Sequence, residues 1–576
     1  MKRFASALAM LAVSLCVHGA ALAASSGSTP SPASAVAKRH MIVAAEPDAS
    51  EAGRLMLRAG GSAVDAAIAA QMVLTLVEPQ SSGIGGGSYL VVADGAALKA
   101  YDGRETAPAS ARPAMFLDAQ GRPRRGSEVI PGGLSVGVPG TIAVLAMAHK
   151  AHGRLPWARL FEPAIRLADQ GFVVQPRLAS AVRDNAAEYA AMPAMRALYF
   201  NPDGTPLKAG QSWRNPELAA SLRAIAQRGP DAFYRGAIAD EIVKAVATAP
   251  RNAAIMTRED IAAYQAKPRE PLCGVYRLHR ICSVPPSSSG GVTVLQVLAL
   301  LERFPASQLQ PATLSAVHLV SEASRLGYAD RERWLGDPDF VFVPLGGLLD
   351  RTYVEMRSRL IDPARSMGTA GAGTPPMRQG ALIDYAPQTP QVERGTSHLS
   401  VVDERGQVVS MTTTIEGAFG AQIAAGGFLL NNELTDFSFE PMIDGRPVAN
   451  APAPGKRPLS SQAPVVVFGP DGRFLASLGS PGGRLIIAYV AQALVNLIDG
   501  RLSMPAVAAA PRHVNLNGPT LIESGTRLEQ SAPRLSAMGH QVRSMSFDSG
   551  VNGIRRVAGG YEGGADPRRE GVALGD

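Results

Sequence analysis

Apolar positions along the 576-residue chain change their period close to residue 395. Before that point the three-to-four-residue spacing of amphipathic helices dominates. It predicts helices over 46–78, 141–149, 157–168, 215–228, 237–248 and 314–334, and a long apolar helix from Val292. Two strand-like runs, 88–92 and 98–101, flank an Asp94-Gly95 turn. From His398 onward alternation takes over. Runs at 399–403 and 407–414 flank Glu404-Arg405-Gly406, and runs at 465–468 and 473–477 flank Asp471-Gly472. One more helix is expected over 485–497. Between the two regimes, residues 367–394 are rich in Gly, Pro and Gln with little period, the composition of an exposed linker. Sheets with helices on their outer faces are the simplest architecture for this pattern. No internal repeat or coiled-coil pattern is present.

The N-terminus adds a targeting segment. Met1-Lys2-Arg3 is basic, residues 4–22 are small and apolar, and Ala21-Leu22-Ala23 fits a small-x-small cleavage site. A Ser/Pro-rich run follows, so a cleaved secretory leader over 1–23 is expected rather than a membrane anchor. Leu15 before Cys16 does not fit a lipidation site. No later stretch has the length of a membrane span. The destination is the periplasm or the exterior. Net charge is +7, and the charges are scattered, without a basic helix or finger spacing, which excludes nucleic-acid binding. Cys273 and Cys282 bracket a hairpin expected to turn near Arg277. In an oxidising compartment they can form a local disulfide; the alternative is two small buried thiols.

The candidate chemistry centres on Gly395-Thr396-Ser397-His398, directly after the linker. An internal threonine hydroxyl is a poor nucleophile. A threonine with a free α-amine carries its own general base, and such an amine has a pKa of about 8. A cut between Gly395 and Thr396 would create that group. His398 shares a strand face with Thr396, but the amine makes it dispensable as a base. Gly479-Ser480-Pro481-Gly482-Gly483-Arg484 opens an apolar helix. Its backbone N–H groups suit an oxyanion hole, and equally a tight turn. Arg104 could clamp a carboxylate, or pair with Glu105 or a later acid. Asn431-Asn432-Glu433 and Asp436 form an acidic patch that suits an ammonium group, and Lys456-Arg457-Pro458-Leu459-Ser460-Ser461 offers hydroxyls. Together these types suggest a pocket for an α-amino-acid head group. The nine histidines are dispersed without metal-ligand spacing, and GxSxG is absent, so no metal or other cofactor is expected.

In order and spacing these motifs resemble the γ-glutamyltransferase family of N-terminal-nucleophile hydrolases. Further runs that carry the resemblance are Gly83-Ile84-Gly85-Gly86-Gly87, Arg104-Glu105-Thr106-Ala107-Pro108, Tyr328-Ala329-Asp330-Arg331 and Leu429-Leu430-Asn431-Asn432-Glu433. The resemblance implies an α+β fold, a four-layered αββα sandwich. It implies a large fragment, 24–395, and a small catalytic fragment, 396–576, paired as a heterodimer within one intertwined domain. Thr396 would be the nucleophile, assisted by Thr414, with Gly482 and Gly483 at the oxyanion. Arg104, Ser460 and Ser461 would hold the donor's α-carboxylate, and Glu416, Glu433 and Asp436 its α-ammonium. The γ-glutamyl group of glutathione or a related amide would pass through a threonyl ester to water, an amino acid or a dipeptide.

Two departures are visible. Some members carry asparagine where this chain has Glu416. The region 439–455, where some relatives have a lid, looks short and lacks tyrosine, which predicts a more open site. Two other functions fit parts of the sequence. A glutaryl or cephalosporin acylase would share scaffold and nucleophile but dispense with the substrate ammonium. A non-catalytic periplasmic solute-binding protein would share only the leader and the large core.

Overall fold

The structure, a computed structural model, describes residues 34–95, 97–377, 383–389 and 395–576. The expected leader and parts of the expected linker lie outside the described residues. Two seven-stranded sheets stack face to face. The first runs Val572–Gly575, Met41–Ala44, Ser397–Val402, Val408–Thr414, Gly87–Asp94, Ala97–Gly103 and Lys267–Arg269. The second runs Ser34–Ala37, Gly560–Gly564, Asn552–Val557, Phe474–Gly479, Val465–Phe468, His279–Ser283 and Leu272–Tyr276. Each sheet therefore interleaves strands from both sides of Gly395-Thr396. Helices cover both outer faces, which completes the αββα sandwich.

Side-chain alternation assigns the layers. In Ser397–Val402, Leu399 and Val401 pack toward Ala63–Val77 and its neighbours. Val402 faces the other sheet, in a dry layer with Val43, Val91, Val466 and Ile554. A period of two is what lets one strand serve both layers. Over the second sheet, Gly290–Leu301, Leu314–Trp334 and Ile486–Ile498 form the other helical layer. Gly290–Leu301 and Ile486–Ile498 are apolar on most faces because they are covered on most sides, whereas Leu314–Trp334 buries polar side chains in pairs such as Glu322 with Arg325.

Several expected elements change at their ends. The segment 46–78, with its helix-like spacing, holds two helices, Pro47–Arg58 and Ala63–Val77. Gly60 breaks the first at φ 83°, and Ser62 and Asp65 cap the second with a reciprocal capping box. The expected helix 157–168 is a 3₁₀ turn, Trp157–Phe161, followed by Glu162–Gln170 with Pro163 in its first turn. The hairpin Leu272–Tyr276/His279–Ser283 turns at Arg277-Leu278 and pairs Cys273 with Cys282, which are joined as a disulfide. In the region compared with a lid, Met442–Ile443 and Arg446–Pro447 form a small hairpin around Asp444. Among the described residues no helix is long and apolar enough to cross a membrane.

Candidate active site around Thr396

Ser397 pairs with Thr413 and Thr414 with Gly87, so Thr396 lies at the end of the central ladder beside Thr414. The Thr396 hydroxyl donates to Thr414 Oγ1 at 3.2 Å. That oxygen also accepts the Glu416 N–H at 2.8 Å, which fixes it as an acceptor facing Thr396. The Thr396 N–H donates to the Ser81 carbonyl at 3.0 Å, and Arg569 donates to the Thr396 carbonyl at 3.2 Å.

The backbone at the junction is distorted. Thr396 has φ 86°, in the left-handed region that a β-branched residue rarely enters. Gly395 has φ 102°, and a Cβ there would sit 2.1 Å from the Glu416 carbonyl oxygen, so only glycine fits. The Gly395 carbonyl accepts the Gly482 N–H at 3.3 Å. Gly482 itself has φ 130°, and Gly483 opens the short 3₁₀ turn leading into Ile486–Ile498. The glycine run is thus a tight turn whose N–H already points at a carbonyl.

Arg104 is buried at the end of Ala97–Gly103 and reaches across to Glu433 and Asp436. Its remaining donors meet the Pro458 carbonyl at 3.1 Å and the Leu459 carbonyl at 3.0 Å. Burial opposes the Arg104 charge, but the Glu433, Asp436 and Glu105 carboxylates hold its pKa well above the ordinary value. Glu105, buried behind it, is pushed up to about 7 by desolvation, partly offset by Arg104. Of the partners open to Arg104, the later acids bond it directly, while a Glu105 carboxylate oxygen stands 3.9 Å from it. The groups expected to hold a carboxylate and those expected to hold an ammonium are therefore paired with one another.

Glu416 accepts a hydrogen bond from the Asn432 amide, which also accepts the Gly417 N–H at 2.8 Å. Arg331 donates to Ser461 Oγ at 2.8 Å, and the Gln462 N–H donates to Ser460 Oγ at 3.1 Å. Arg104, Thr396, Thr414, Glu416, Glu433, Asp436, Ser460, Ser461 and Gly483 share one cavity with Gln462 and Ile486. Gly482 approaches it through the Gly395 carbonyl.

His398 does not join this group. It is buried between the sheets, with its ring nitrogens 2.9 Å from Thr412 Oγ1 and 3.2 Å from Ser400 Oγ. Desolvation lowers its pKa to about 3. A pKa depressed on folding contributes stability that is full above about 6.5, the unfolded value, and is lost as pH falls toward 3. The thermal midpoint should therefore fall with acidification across that window, and less steeply in His398→Gln. Equal slopes in both proteins would refute this assignment.

Sequence reasoning missed the groups behind Thr396. Glu78 accepts the Ser397 hydroxyl and Arg177, and Arg569 joins Glu78 to Thr396. Arg569 sits in an ordinary-looking Asp566-Pro567-Arg568-Arg569-Glu570 run, where nothing local marks it. Elsewhere, His318, Glu322 and His540 bring potential metal ligands together. That group is satisfied internally. His318 lies 2.7 Å from both His540 and the Asp362 carbonyl, His540 is 2.8 Å from Thr520, and Arg325 holds Glu322 at 2.9 Å.

The sequence model of the gamma-glutamyltranspeptidase family matches residues 49–576. A glutathione hydrolase proenzyme from Bacillus subtilis strain 168 is 38% identical over 555 residues, 94% of this chain and 92% of the relative. An acylase ACY 1 proenzyme from Pseudomonas sp. strain SE83 is also 38% identical, over 526 residues, 90% of this chain and 89% of the relative. Among solved structures, the cephalosporin acylase of Bacillus halodurans superposes with a TM-score of 0.83 at 28% identity, covering 96% of this chain and 98% of that one.

Proposed function

The chain belongs to the gamma-glutamyltranspeptidase family, and from that membership and the cavity's geometry we propose how Thr396 is released and what it then transfers. The protein is an N-terminal-nucleophile enzyme with γ-glutamyltransferase and glutathione hydrolase activity. The solute-binding alternative is set aside.

Release comes first. The Thr396 hydroxyl attacks the Gly395 carbonyl, the Gly482 N–H stabilises the oxygen as it gains charge, and the C–N bond breaks as the amine takes a proton. Water then hydrolyses the resulting Gly395 ester. The left-handed Thr396 supports this reading, since strain of about 1–3 kcal/mol at such a residue is relieved when the peptide bond to its nitrogen is gone. The products are a large fragment ending at Gly395 and a small fragment beginning at Thr396, which stay paired.

The freed amine then serves as general base for the same hydroxyl. Thr396 Oγ attacks the γ-carbonyl of the donor, and Gly482, vacated by Gly395, and Gly483 receive the oxyanion. The donor's amine leaves with a proton, and water or an acceptor amine takes the γ-glutamyl group from the ester. A secretory leader and a disulfide support a periplasmic or extracellular setting, where small γ-glutamyl compounds and amino acid or peptide acceptors are the partners.

One observation carries the choice of donor. Arg104 is bonded to Glu433 and Asp436. A zwitterionic head group inserts into such a set without a net loss of pairing: its carboxylate meets Arg104 with Ser460 and Ser461, and its ammonium meets Glu433, Asp436 and Glu416. A glutaryl donor brings only the carboxylate and draws Arg104 from acids that receive nothing in return. Breaking buried pairs in this way costs about 3–5 kcal/mol. The acylase relatives and the Bacillus halodurans structure keep a glutaryl or cephalosporin acylase as a second reading. Processed protein should release p-nitroaniline from its γ-glutamyl anilide at least about a hundred times faster than from the glutaryl anilide. Equal rates would move the protein to the acylases.

A further inference from the structure

Gln462 is a polar lining residue of the cavity that no role above uses. It is 2% exposed. Its backbone is pinned: the N–H donates to Ser460 Oγ, and its carbonyl accepts the Ser288 hydroxyl at 2.6 Å. The side chain is not pinned. Among the described residues neither its amide nitrogen nor its amide oxygen has a hydrogen-bond partner. The amide is buried, and Gln462 lines the same cavity as Arg104, Ser460, Ser461, Glu433 and Asp436.

A buried amide without partners is costly, and a fold that needed only to fill this space would do better with an apolar side chain of the same size. The cost is recovered if a ligand supplies both partners. A primary amide presents one donor and one acceptor side by side on a planar edge. The α-end of an amino acid presents the complement: an ammonium that donates and a carboxylate that accepts, both on one carbon.

We propose that Gln462 is a specificity-determining residue that reads this zwitterionic edge, with Nε2 donating to the donor's α-carboxylate and Oε1 accepting from its α-ammonium. This rests on the γ-glutamyl reading above and adds to it. The ion pairs around Arg104 supply charge, which any nearby carboxylate or ammonium satisfies in part. The amide supplies direction, because it is satisfied only when both groups sit on adjacent positions of one ligand.

Gln462→Met keeps the volume and removes both polar atoms. The test compares processed wild type and this variant by inhibition constants for free L-glutamate and for glutarate, by KM and kcat for γ-glutamyl-p-nitroanilide, and by the unfolding midpoint without ligand. The expected results are a rise of about tenfold in the L-glutamate constant and in KM, which corresponds to 1.4 kcal/mol, with kcat within twofold. The glutarate constant should rise by about threefold or less, because only half of the edge is present. The midpoint should hold or rise, since an unsatisfied amide has been removed. Equal weakening of both ligands, or a lower midpoint, overturns the proposal in favour of a structural amide. An unchanged L-glutamate constant, in a wild type that prefers γ-glutamyl over glutaryl donors, overturns it while leaving the functional reading intact. A wild type without that preference overturns the functional reading itself.

Discussion

Thr396→Ala is expected to leave the chain in one piece and to reduce turnover by a factor on the order of 10⁴ or more. On the proposed mechanism both effects have one source, the same hydroxyl attacking in release and in transfer. Two features make the experiment clean. Among the described residues the Thr396 side chain makes one hydrogen bond, to Thr414, so its loss removes little from the fold. The left-handed backbone at 396 is less strained for alanine than for a β-branched residue, so the uncut variant should unfold no earlier than the wild-type precursor. Thr396→Ser retains an oxygen nucleophile and should be cut, more slowly, into the same fragments. Denaturing electrophoresis over time reads all three chains. Fragments from the alanine variant would mean that another group performs the cut.

The second large effect is a change of donor rather than a loss of activity. Asp436→Asn keeps shape but removes one of the carboxylate charges that face Arg104. A γ-glutamyl donor then has fewer negative partners for its ammonium, and its kcat/KM should fall by about 10²–10³-fold, the range of a broken buried pair. A glutaryl donor has no ammonium to lose. It meets an Arg104 less tightly held by its own acids, so its kcat/KM should hold or rise. The ratio of the two is the measurement. A parallel fall on both donors would show that Asp436 shapes the turn Glu433–Asp436 and does not recognise charge.

The parts of this structure that were legible in sequence are those with a local cause. Leu314–Trp334 is found where its period placed it, because its spacing and its cap at Thr313 are written within the helix. Val465–Phe468 is likewise found where the alternation placed it. The cluster around Thr396 was legible by motif, since glycines and paired acids at fixed order are few. What was not legible depends on register between distant segments. Asn552–Val557 and Gly560–Gly564 join a sheet by pairing with each other, Phe474–Gly479 and Ser34–Ala37, and their glycines and arginines carry no strand period. Arg569 and Glu78 meet across 491 positions of chain. The isolated sequence of His398 placed it on the face of Thr396, but the left-handed turn at 396 separates the two. The pairing of Arg104 with Glu433 and Asp436 was one of several open options until the fold chose it.

The interleaving of strands across Gly395-Thr396 has a consequence for durability. Ser397–Val402 is held by Met41–Ala44 on one side, and Val408–Thr414 by Gly87–Asp94 on the other. Once the bond is cut, neither fragment owns a complete sheet. Separation would have to break backbone ladders in the middle of both, so the pair should resist dilution as one chain does. The reverse path is different. A cut pair that has unfolded and diffused apart faces a two-body search, with long-range strand pairings to rebuild before any core forms. The uncut precursor refolds without that two-body search, whereas the mature pair persists for as long as its unfolding barrier lasts. Maturation thus turns a question of equilibrium into one of lifetime, and recovery of native structure after heating should fall with heating time more steeply in the mature pair than in the uncut Thr396→Ala precursor.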